Sequence, residues 1–155
     1  MGTTSENFVV YDIFQNQALS FTDVNAPIAS SVSWNVDGTL IASAANWVRD
    51  DTKKPRVDVW DATTLELVAS FTHNAFITQI VWHPSDPRKL VSQSFDGRTR
   101  FWDVDSQEQY SLPVYNPNGG LDFAWSPDES TMVMSSGDSV VRIFSNPNRR
   151  FGESF

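Results

Sequence analysis

The sequence predicts an all-β chain assembled from a repeated unit of short antiparallel strands, and three observations carry the prediction. Short runs rich in β-branched and aromatic residues are closed by Pro, Gly or Asp turn signals, the pattern of strands joined by hairpins. No stretch sets apolar residues at helical spacing over three turns. Two marker series also keep one register. Strand ends fall at Tyr11-Asp12, Trp60-Asp61, Trp102-Asp103 and Phe144-Ser145, separated by 49, 42 and 42 residues. Tryptophans that close other strands fall at Trp34, Trp82 and Trp125, separated by 48 and 43 residues. A period of this size marks a repeat architecture, in which each unit buries its apolar face against its neighbours.

With the strands of a unit lettered A to D, the elements follow in chain order. Residues Phe8 to Ile13 read as a C strand and Ala18 to Thr22 as a D strand; Ser20-Phe21-Thr22 repeats as Ser70-Phe71-Thr72. The first full unit has A at Ile28 to Trp34, B at Leu40 to Ala45, C at Arg56 to Asp61 and D at Leu65 to Thr72. The second has A at Phe76 to Trp82, ended by a proline turn, B at Lys89 to Ser94, stopped by Asp96-Gly97, C at Thr99 to Val104 and D at Glu108 to Val114. The third has A at Leu121 to Trp125, B at Thr131 to Ser136 and C at Val140 to Phe144. Residues 1–7 read as a flexible lead, 8–145 as the repeat domain (8–22, 28–72, 76–114, 121–144) and 146–155 as a tail.

The second unit also has a polar signature. His73 precedes its first strand, Ser92 lies in the second, Asp96 in the turn and Trp102 in the third. On these residues the chain resembles a WD-repeat β-propeller. His73 stands in the Gly-His place with Thr72 for Gly, Ser94-Phe95-Asp96-Gly97 is the turn, and Trp102-Asp103 closes the third strand. The resemblance implies a structural network of buried hydrogen bonds among His73, Ser92, Asp96 and Trp102. The chemistry suits it: indole only donates, carboxylate accepts, and hydroxyl and neutral imidazole do both. Ser92, His73 and Asp96 also have the composition of a hydrolase triad. A mid-strand serine, however, lacks the exposed oxygen and oxyanion donors that a nucleophile needs. In the first unit Asp23 or Asn25 stands at the His place, Ser43 keeps the serine and no turn Asp aligns. In the third, Asn116 replaces His, Ser135 and Asp138 remain, and Phe144 replaces Trp.

Composition bounds the function. The 155 residues carry a formal net charge of −8, which disfavours binding to nucleic-acid backbone or anionic membrane. There are no cysteines, so disulfides and thiolate metal sites are excluded, in keeping with a cytoplasmic or nuclear setting. No apolar run reaches the length of a membrane-spanning helix, and no membrane partner is expected. No cofactor is expected either: there is no phosphate-cradling glycine loop, and of the two histidines one belongs to the network and His83 reads as a surface residue before Pro84.

Five tryptophans fall on A or C strands. The sixth, Trp47, lies in the long B–C connection of the first unit with Arg49, Lys53 and Lys54. Aromatic and arginine side chains on loops dominate interface energetics. Trp47, Arg49, Lys53, Lys54 and Asn116 are therefore the candidate partner-binding residues, against the bland alternative of an aromatic folded on the blade edge amid solvated charges. The expected function is a non-catalytic protein-interaction scaffold. One alternative is a small-ligand-binding or catalytic propeller using its channel, for which the A strands offer Ser31, Ser33, Thr78, Gln79 and Asp122. Another is a nucleic-acid-associated propeller using Lys53, Lys54, Arg56, Arg149 and Arg150. The count of about three to three and a half four-stranded blades falls short of a ring, which takes about 4–8. Completion is expected from a second copy as a homodimer, from another protein, or from further blades of a longer propeller.

Overall fold

In a computed structural model of the chain, the structure describes residues 8–12, 16–21, 28–46, 53–111, 119–145 and 147. Thirteen strands are present among them: β1 (Phe8–Asp12), β2 (Gln17–Phe21), β3 (Ile28–Trp34), β4 (Leu40–Asn46), β5 (Arg56–Asp61), β6 (Leu67–Thr72), β7 (Ile77–Trp82), β8 (Lys89–Ser94), β9 (Thr99–Asp103), β10 (Gln109–Ser111), β11 (Gly120–Trp125), β12 (Thr131–Ser136) and β13 (Val141–Ser145). All pairings are antiparallel between chain neighbours. The sheets run β3-β4-β5-β6, β7-β8-β9-β10 and β11-β12-β13, with β1-β2 as a separate pair. No described helix is long and apolar enough to cross a membrane.

Several strand boundaries differ by one residue from expectation, and one start differs by two. The D strand expected from Leu65 begins at Leu67. Leu65 sits in the left-handed region at φ 61° and closes a turn onto the Asp61 carbonyl, 2.9 Å away. Asp61 Oδ1 accepts the Thr63 and Thr64 amides. Asp103 repeats the device with Asp105 and Ser106, followed by Gln107 at φ 58°. The aspartates that close β5 and β9 therefore build the next turn, as short polar side chains do. In the second unit the described D strand, β10, has three residues; the rest of the expected run, 112–114, lies outside the described residues.

Every A strand is irregular at one place: the register shifts between Ala29 and Val32, between Ile77 and Gln79, and between Gly120 and Asp122. A bulge re-aims side chains, and here Ser30 and Thr78 reach into the following sheet. Ser30 Oγ donates to the Ile77 carbonyl at 2.6 Å, and Thr78 Oγ1 donates to the Gly120 carbonyl at 2.8 Å. The core lies between successive sheets. Leu40, Ala42, Ala44, Val57, Val59 and Phe71 meet Ile77, Ile80, Trp82, Leu90 and Trp102. Val91 and Phe101 meet Phe123, Met132 and Met134. Each interface buries apolar area on both sides, the dominant favourable term in a repeat fold.

Candidate functional site

The second sheet holds a continuous polar chain. Trp102 Nε1–H donates to Ser92 Oγ at 2.7 Å, and that oxygen lies 2.9 Å from His73 Nε2. Arg100 Nη1 lies 3.0 Å from His73 Nδ1, and its guanidinium grips Asp96 at 3.1 and 2.5 Å. Because Arg can only donate, His73 Nδ1 accepts and Nε2 carries the proton toward Ser92. Burial, joined by the Arg100 charge, lowers the His73 pKa to about 3, against a smaller opposite pull from Asp96. Burial alone would raise the Asp96 carboxyl, but the Arg100 hydrogen bonds and charge hold it below its usual range. Arg100 thus stands between His73 and Asp96, two members of the expected network. Sequence reading passed over its one signal: the Asp-x-x-x-Arg spacing of 96 and 100 recurs at 138 and 142, where Arg142 again pairs with Asp138.

This geometry disposes of the triad reading for the trio. Ser92 is fully buried, and its oxygen already accepts the Trp102 indole N–H and, by the tautomer argument, the His73 N–H. It has neither an open approach nor a base free to take its proton.

The first sheet keeps part of the chain: Trp60 Nε1–H donates to Ser43 Oγ at 3.0 Å. Where the second sheet has Arg100, the first has buried Asp58, held by Arg56 Nε at 2.7 and 2.8 Å and by Ser70 Oγ at 2.7 Å. The Arg100 position thus carries the opposite charge here, and its partner Arg56 lies two residues before it rather than four. Asp23 and Asn25 lie outside the described residues. In the third sheet Phe144 has no N–H, and Ser135 Oγ turns to the Asp122 carbonyl at 3.4 Å.

His83 is not the surface residue that its place before Pro84 suggests. It is buried, its Nδ1 accepts the Asp86 amide at 3.1 Å, and its ring meets Trp125 edge-on at 4.7 Å. The third sheet covers it, a long-range contact that local sequence does not carry.

Of the five side chains offered for a channel site, Ser31, Thr78 and Gln79 join sheets, while Ser33 Oγ reaches only the neighbouring Trp34 carbonyl. Ser31 Oγ accepts the Ile80 amide at 3.1 Å, Thr78 reaches Gly120 as above, and Gln79 Oε1 accepts the Phe123 amide at 2.6 Å. Asp122 is exposed. Among the described residues no group of three or more His, Cys, Asp or Glu could hold a metal ion.

Of the candidate partner-binding residues, Lys54 is exposed and Lys53 half-buried, while Trp47, Arg49 and Asn116 lie outside the described residues. The same end of the second sheet presents an apolar rim that sequence reading passed over. The Phe95 amide donates to the Phe76 carbonyl at 2.8 Å, their rings stack at 5.6 Å, and Phe95 remains 52% exposed. Gly119, at φ +76°, lies against Phe95 so closely that a Cβ there would fall 2.7 Å from its ring. Leu121, two residues on, is also exposed.

Stacked antiparallel sheets of three to four strands, joined edge-on-face by a repeated set of polar bonds and carrying a Trp–Ser–His chain, define the class: a blade-built repeat protein. The family described as "WD domain, G-beta repeat" matches residues 65–103 and 113–145. These stretches carry WD repeats, and the chain has the all-β fold of a partial WD40 propeller. It is 29% identical over 134 residues to protein transport protein SEC31 homolog B of Arabidopsis thaliana, covering 84% of this chain and 12% of that protein. It is 28% identical over 120 residues to protein transport protein sec31 of Schizosaccharomyces pombe, covering 75% and 10% respectively. It is 29% identical over 73 residues to nucleoporin Nup37 of Mus musculus, covering 46% and 22%. The chain thus spans about a tenth of the length of the first two relatives.

Proposed function

We propose that the chain is a non-catalytic protein-interaction module, a WD-repeat segment that holds proteins together in a larger assembly in the cytoplasm or nucleus. One observation carries the reading: the rim at Phe76, Phe95 and Leu121 offers aromatic and apolar surface, while the polar side chains nearer the sheet interiors are engaged between blades. Exposed aromatic anchors are the residues that interfaces use. By repeat register the 47–55 connection is the counterpart of the turn carrying Phe95, so Trp47, Arg49, Lys53 and Lys54, with Asn116, are proposed as contacts on the same rim. The relatives support this class of role, two being named for protein transport and one as a nucleoporin.

The test is comparative retention. Immobilised wild type, Trp47→Ala and Phe95→Ala are matched for melting temperature, and retained proteins are quantified by mass spectrometry. The reading predicts a set of proteins held by wild type and lost from both variants, with melting temperatures nearly unchanged. Equal retention by all three contradicts it. A large fall in melting temperature for Trp47→Ala assigns Trp47 to the core instead.

A further inference from the structure

We propose that the rim at Phe76 and Phe95 receives an acidic segment of another protein, one that sets an aromatic or aliphatic side chain among its carboxylates. This rests on the interaction-module reading and adds to it the chemistry of the partner.

The residues that shape the rim also charge it. The Pro55 carbonyl accepts the His73 amide at 2.7 Å, and the Phe76 carbonyl accepts the Phe95 amide at 2.8 Å. Residues 73–76 therefore tie the end of the 47–55 connection to the turn that carries Phe95. Lys54 belongs to the first of these and Arg98 to the second, and both are exposed. Asp96, in the same turn as Arg98, is already engaged. Its Oδ2 accepts from the Arg100 guanidinium at 2.5 Å, and its Oδ1 accepts from the same guanidinium and from the Arg98 amide, each at 3.1 Å. Asp58 is likewise held by Arg56 and Ser70, and Asp138 by Arg142. Each of these carboxylates has an arginine of its own, while among the described residues Lys54 and Arg98 have no carboxylate partner. The charges that oppose them are Asp122, exposed on β11, and, by sequence, Asp50 and Asp51, set against Arg49, Lys53 and Lys54.

The other end of the strands has the reverse sign. Its A–B and C–D turns expose Asp37, Glu66, Asp105, Glu108 and Asp128. The cations there are Arg88, 3.8 Å from Asp105, and Lys89, 3.1 Å from Asp86. The net charge of −8 is thus unevenly placed among the described residues: acidic at one end, and cationic where Phe95 is exposed. An acidic partner is repelled by the first end and steered to the second. There the stacked Phe76 and Phe95 rings form an apolar seat, and Gly119 lies against Phe95 from behind. A ring already stacked and backed loses little freedom on binding, so it is suited to take an apolar anchor.

Fluorescence anisotropy on the full chain tests this with a labelled peptide in which Asp and Glu flank one Phe and one Leu. The comparison probes are the same peptide with Lys for each acid, the same peptide with Ala for Phe and Leu, and a single-stranded oligonucleotide. The acidic apolar peptide is expected to bind tightest and to weaken as salt rises. Lys54→Glu and Arg98→Glu should each weaken it several-fold with unchanged circular dichroism spectra, and Phe95→Ala should remove its advantage over the Ala peptide. Arg88→Glu makes the same change in net charge at the opposite end and should leave binding unchanged. No binding of the acidic peptide overturns the proposal, as does equal binding of the Lys peptide or an equal loss in Arg88→Glu. An oligonucleotide held more tightly than the peptide through Lys54 and Arg98 overturns it too. In the retention experiment, proteins lost from Phe95→Ala yet held by Lys54→Glu and Arg98→Glu would remove the acidic partner and leave the interaction-module reading in place.

Discussion

His73 is held neutral, and this makes the fold acid-sensitive. An unfolded histidine titrates near 6.5, whereas folded His73 takes its proton only at about 3. Below pH 6.5 the unfolded chain therefore binds the extra proton. The stability from neutral His73 is fully present above that pH and is lost as pH falls, by about 1.4 kcal/mol per unit through the window from 6 to 3. Asp96, held low, adds loss in the same direction below about pH 4. Denaturant melts at pH 7 and pH 5 should show the wild type weakening and His73→Gln nearly level across that interval. At pH 7, His73→Ala should cost about 1–3 kcal/mol by stranding Ser92 and Arg100; an unchanged melt contradicts the place given to His73. Ser92, His73 and Trp102 were legible because their types and spacing are those of the repeat. Arg100 was not, because a mid-strand arginine reads as a solvent-facing position until its carboxylate four residues back is noticed. Asp58 was missed because it stands at the Arg100 position with the opposite charge, paired to Arg56 two residues before it.

Turns and bulges decide how the strands meet. Gly119 and Gly38 both occupy the left-handed region, at φ +76° and +72°. At Gly38 a Cβ would meet nothing within 4 Å, whereas at Gly119 it would fall 2.7 Å from the Phe95 ring. Both alanine substitutions incur the backbone penalty of about 1–2 kcal/mol, and Gly119→Ala also overpacks, which adds about 1–3 kcal/mol. Paired chemical melts should therefore rank Gly119→Ala well below Gly38→Ala; equal losses contradict the close approach of the Gly119 loop to Phe95. Removing a C–D turn acceptor with Asp103→Ala should cost about 1 kcal/mol, read in the same melts, and no loss contradicts the turn assignment. Strand order was legible from period and turn residues. The A-strand bulges were not, since they answer to carbonyls in the next sheet, such as Ile77 and Gly120, and nothing local marks them. His83 escaped reading for the same cause, its burial being supplied by Trp125 from 42 residues away.

At the scale of the whole molecule, the two interior interfaces share one register, and among the described residues Val32 and Trp34 on the first sheet and Val133, Val141 and Ile143 on the third stay exposed. Apolar faces of this kind mark interaction surfaces. That three blades fall short of a ring was legible by counting; which side chains the shortfall exposes became visible only with the sheet faces in place. Hydrogen exchange followed by mass spectrometry tests most directly the claim that successive sheets bury one another's faces. The account predicts that peptides covering 77–82, 90–94 and 99–104, buried between sheets, are protected far above the one covering 139–145, whose side chains are largely exposed. Equal protection across these segments would contradict it.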